Sequence, residues 1–175
     1  MRHNGQAALL KRATQLWGEK FQREMVIEEC GELIYAIASF KSGIAIVSEV
    51  PAEVADVLIC TNQLAGDLGA ECIAELEKSR VAEERERGRT RVSTSYLEDS
   101  AVSACSLMIV AIRHFERGRI TFKGLEPTVI RVITAVNRLA ARIGAEYIAE
   151  LVDEKFARLA QKVALADPNW ETEDA

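Results

Sequence analysis

The sequence repeats itself. Displaced by about 75 residues, the two halves of the chain align without a gap from Phe21 against Tyr96 onward. Cys30 meets Cys105, Ile34 meets Ile109, Ile37 meets Ile112, Phe40 meets Phe115 and Gly43 meets Gly118. Val54, Asn62, Leu64 and Ala65 recur as Val129, Asn137, Leu139 and Ala140. The longest match sets Gly69, Ala70, Glu71, Ile73, Ala74, Glu75 and Leu76 against Gly144, Ala145, Glu146, Ile148, Ala149, Glu150 and Leu151. Roughly nineteen identities fall over about 67 positions, which means a duplicated structural unit.

Within each copy the apolar spacing is helical. Val26, Cys30, Leu33, Ile34, Ile37 and Phe40 fall on one broad arc at 100° per residue. Helices are expected over residues 6–17, 21–41, 51–67 and 70–88. Gly18, Gly43, Gly69 and Gly88 punctuate them, and Pro51 suits a first helical turn. The second copy gives helices over 96–117, 126–142 and 145–164. The expected fold is all-α: a helical bundle of two duplicated three-helix units related by a pseudo-twofold, plus a short N-terminal helix. The units span 1–88 and 96–165, joined by a polar linker over 89–95 and packed as one globular domain. An acidic tail over 166–175 follows, with Trp170 available to dock.

Composition excludes several classes. With 175 residues, 49% hydrophobic and 28% charged, the chain reads as an ordinary globular protein. A net charge of -5 argues against binding nucleic-acid polymers, which favours a basic surface. No apolar run approaches the length of a membrane span, and the N-terminus lacks the apolar core of a signal peptide. Cys30, Cys60, Cys72 and Cys105 form no CxxC and are expected as buried reduced thiols of a cytoplasmic protein.

The copies differ where the chemistry lies. Glu29 and Glu32, and again Glu53 and Asp56, are three apart and share a helix face in pairs. Four carboxylates brought together repel unless cations sit between them, and hard divalent ions with oxygen ligands are the natural neutraliser. In the second copy Glu28, Glu29 and Glu32 become Ser103, Ala104 and Leu107, while Glu53 and Asp56 become Thr128 and Arg131. The fold therefore does not need these acids. Solvated surface acids would drift singly; joint loss points to one shared purpose, and Leu107 implies that the equivalent face is partly buried. A di-iron carboxylate site would need ExxH motifs, and neither His3 nor His114 is suitably placed.

The pattern ExxE, spacer, ExxD resembles the MazG-like all-α nucleoside triphosphate pyrophosphohydrolases. Here it is Glu29 and Glu32, then Glu53 and Asp56, with Glu28 as the extra acid many members carry. The lead-in of Trp17, Gly18, Gln22 and Met25 is similar too, so the likeness covers about residues 10–87. The second half resembles the family only through the repeat. The resemblance implies Mg²⁺-dependent cleavage of a nucleoside triphosphate between its α and β phosphates, with Mn²⁺ a possible substitute. It implies Glu29, Glu32, Glu53 and Asp56 as metal ligands, and Glu28 or Glu29 as the catalytic carboxylate. Lys41, Lys78, Arg80 and Gln63 are candidate substrate contacts, with Cys60 beside them, although Lys78 and Arg80 equally suit a solvated charge run. Asn62, repeated as Asn137, reads as structural, and Trp17 as a core or interface anchor more than a base stacker. Single-unit members assemble as dimers; a tandem chain can make that pairing internally, and a homodimer of the fused chain is also expected. A non-catalytic nucleotide-binding or regulatory module of the same fold is the alternative.

Overall fold

The computed structural model describes residues 3–44, 49–69, 92–168 and 170. Among these, six α-helices and one short 3-10 turn pack together. They are α1 (His3–Trp17), α2 (Glu19–Lys41), α3 (Glu49–Leu68), α4 (Thr94–Glu116), α5 (Glu126–Ile143) and α6 (Ala145–Ala166), with the 3-10 turn at Phe122–Leu125. The expected helix over 70–88, with Cys72, Lys78 and Arg80, lies outside the described residues, as does most of the acidic tail.

Glycines set the corners. Gly18 alone separates α1 from α2, at φ 85°. Gly43 and Gly118 close α2 and α4 at φ 70° and 68°. Each closure is a Schellman motif: the Gly43 N–H donates to the Phe40 carbonyl and Ile44 N–H to Ser39, while Gly118 donates to Phe115 and Arg119 to His114. α4 begins and ends where the 75-residue displacement puts it: 19 and 41 of α2 become 94 and 116 of α4. Several boundaries differ from the sequence reading by one to three residues. The linker ends early, because the Ser93 side chain accepts from Tyr96 N–H (3.2 Å) and starts α4 at Thr94. The 3-10 turn, capped by the Thr121 hydroxyl accepting from Gly124 N–H, was not legible as an element.

α2, α3, α5 and α4 pack in a ring, each against its two neighbours. The buried stripe of α2 is Val26, Cys30, Leu33 and Ile37; that of α4 is Ala101, Cys105, Met108 and Ile112. α3 contributes Val54, Val57, Leu58 and Leu64, and α5 contributes Val129, Val132, Ile133 and Leu139. Each fully buried aliphatic side chain stabilises the core by about 1.5–3 kcal/mol. α4 is long and apolar enough by composition to cross a membrane, a match the sequence reading did not anticipate. Its buried stripe belongs to the core shared with α2 and α5.

α6 lies on α3, and α1 lies on α6. Their contact is a second apolar cluster of Leu9, Ala13, Phe156 and Val163, with Trp17 and Trp170 packed at its edge. Arg12 pairs with Asp167 across the same contact. Trp17 thus sits as an anchor, its ring 6.2 Å from that of Phe21. Cys30, Cys60 and Cys105 are buried free thiols.

Candidate metal centre

The packing of α2 on α3 puts the two acid motifs face to face. Glu29 on α2 and Glu53 and Asp56 on α3 bring one ligand oxygen each within 4.8 Å of one another. The spacing explains this: Cys30 and Leu33 point inward from α2, and Val54 and Val57 from α3, so the residues beside them converge at the seam. Glu32 is exposed itself and lies near enough for its charge to help raise the Glu53 carboxyl. Glu28 is exposed and stands apart from the three converging ligand atoms.

The electrostatics follow from the crowding. Burial first, then the charges of Asp56, Glu32 and Glu53, push the Glu29 carboxyl up from its ordinary 4.5 to about 7. Glu53 is raised by burial and by the charges of Asp56 and Glu32. Its Oε2 atom is buried without a hydrogen-bond partner. A buried carboxylate oxygen with no donor is costly unless a cation completes it. Oxygen-only ligands, a shared focus and an orphaned oxygen fit a hard divalent ion. Cys60 borders the cluster: burial and then the charges of Glu29 and Asp56 push its thiol well up, and its Sγ lies 3.4 Å from the Val57 carbonyl it bonds.

One member of the site was missed in the sequence. Lys155 of α6 is ion-paired with Asp56, and its charge also pulls against the raised values of Glu29 and Glu53. The signal was present in the repeat, since Lys155 is displaced by 75 residues from Arg80, a candidate substrate contact.

Among the described residues, Lys41 and Gln63 are engaged elsewhere. The Lys41 ammonium bonds Asp99 (2.5 Å) and lies 3.7 Å from Glu98, tying α2 to the start of α4. The Gln63 amide donates to the Leu10 carbonyl (3.1 Å) and the Thr14 hydroxyl (2.7 Å), so it holds α1 instead of lining a pocket beside Asp56. Asn62 donates to the Leu58 carbonyl of its own helix, a local structural bond (2.7 Å). Leu107, which stands where the first half has Glu32, is 42% exposed, more open than the partly buried face expected of it.

No family model, curated protein or solved structure matches the chain.

Proposed function

We propose that the chain is a Mg²⁺-dependent nucleoside triphosphate pyrophosphohydrolase of the MazG-like all-α kind, releasing a nucleoside monophosphate and pyrophosphate. The observation that carries this reading is the convergence of Glu29, Glu53 and Asp56 around the unpartnered Glu53 oxygen. These three, with Glu32 beside them, would hold the metal. Bound there, Mg²⁺ would screen the triphosphate's charge, polarise the phosphoryl group and lower the pKa of a bound water. Glu28 or Glu29 serves as the general base that takes the attacking water's proton: Glu29 lies in the cluster and Glu28 is exposed one residue before it.

The reading extends to a duplicated fold. The equal limits, glycine caps and buried stripes of α2 and α4 at a displacement of 75 residues support two units paired about a pseudo-twofold. So does the burial of Cys30 and its repeat counterpart Cys105 in the same core cluster. Internal pairing takes the place of the single-unit dimer. Further homodimerisation of the fused chain is tested by sedimentation.

A panel of ribo- and deoxynucleoside triphosphates with Mg²⁺, monitored for pyrophosphate, tests the activity. At least one should be hydrolysed, and a Glu53→Ala, Asp56→Ala double variant should be inactive. Retained turnover in that variant sinks the proposal. A second reading, a non-catalytic nucleotide-binding module, is favoured by the Lys155–Asp56 pair, which already occupies a ligand. Tight nucleotide binding by calorimetry without product would decide for it.

A further inference from the structure

Lys155 reaches the acid cluster from 99 residues beyond Asp56. α6 is held in one rotation about its axis by its apolar side: Phe156 is buried against Leu9 and Ala13 of α1, and Val152 packs on both apolar clusters. Lys155, between them, is directed at α3, where its ammonium pairs with Asp56 Oδ2. The two side chains are 20% and 25% exposed, so the pair is well shielded from water. Shielding strengthens the attraction several-fold over a surface pair.

The oxygen that Lys155 holds belongs to one of the three carboxylates that converge for a metal. An ammonium and a divalent ion drawn to the same carboxylate repel each other, so each weakens the other's hold on it. We propose that Lys155 is a tethered cation that competes with the divalent metal for Asp56. The half of the chain that lacks the acids thereby sets the metal concentration at which the site loads. This inference rests on the metal-dependent reading above and adds regulation to it. The four-carbon stem lets the ammonium turn away without moving α6. The same place in the first copy, Arg80, also carries positive charge.

The test is Mn²⁺ binding to the full chain by titration calorimetry, without nucleotide. It compares wild type with Lys155→Met, Lys155→Gln and Lys155→Arg, with Asp56→Asn as the blank, and a circular-dichroism melt checks that each variant is folded. Both neutral variants should bind Mn²⁺ about tenfold more tightly than wild type, the size expected when one shielded competing charge is removed. Lys155→Arg should stay near wild type. Using two neutral side chains, one apolar and one polar, separates lost competition from a packing defect at either. Equal or weaker Mn²⁺ binding by the folded neutral variants overturns the competition and leaves the metal site standing. Absence of Mn²⁺ binding in wild type and neutral variants alike overturns both the competition and the metal-dependent reading.

Discussion

Glu29 is the side chain through which pH reaches the fold. Its folded pKa of about 7 lies above the ordinary 4.5, so the folded state binds the proton more tightly than the unfolded chain. The resulting stabilisation is fully present below about 4.5 and is lost as pH rises through about 7. The shift alone sets an upper limit of about 3 kcal/mol, and solvent screening at this half-buried group reduces it to about 1 kcal/mol. Urea unfolding in chelator at pH 5 and pH 8 should show that loss, and Glu29→Gln should flatten it. Added Mn²⁺ should stabilise more at pH 8 than at pH 5, because the ligand must be ionised. Glu28→Gln should lower kcat by about 10²–10⁴-fold while Mn²⁺ affinity, read by calorimetry, stays within twofold. Glu29, Glu53 and Asp56 were legible because three-residue spacing fixes a helix face whatever lies opposite. The engagements of Gln63 and Lys41 were not, because they depend on which foreign helix arrives at that face.

At the scale of the element, the glycine corners are the most constrained positions. Gly118 adopts φ 68°, a left-handed conformation that costs a side-chain-bearing residue strain. Gly118→Ala should destabilise by about 1 kcal/mol in chemical denaturation, while Gly5→Ala, within helix α1 with open space around it, should cost nothing. Met108→Ala, at a fully buried position of α4, should cost about 2–5 kcal/mol. Helix ends were readable to within two residues because glycine and the apolar period both stop there. Helix starts were less so. Ser93 looks like one more polar residue of the linker until its side chain is seen to cap Tyr96 N–H.

Across the whole molecule, charge is complementary where α2 meets α4. α2 carries Arg23 and Lys41 where α4 carries Glu98 and Glu116. In the fold Lys41 meets Glu98 and Asp99 at one end of the α2–α4 contact. At the other end the Arg23 guanidinium lies 5.0 Å from the Phe115 ring centre, in a groove that also contains Glu116. Two α2 helices set together in the same way would oppose Arg23 to Lys41, and two α4 helices would oppose Glu98 to Glu116. The exchange of sign favours the mixed pair over either like pair. Lys41→Glu should lower the melting midpoint by several degrees, and adding Glu98→Lys should recover part of it; equal melting of the single and double variants would remove the charge argument.

The sequence by itself determined the helical class, the displacement between the halves and the four acids on two helix faces. These follow from local periodicity and from comparing the chain with itself. Tertiary structure alone decided that α6 crosses onto α3 and that α1 closes over α6. The bonds that mark these contacts join residues 99 to 155 positions apart, and no pattern within a helix encodes which partner its apolar stripe will meet. Lys155 enters the acid cluster for that reason. Its charge is written in the second copy, but its place beside Asp56 exists only once the two halves have packed.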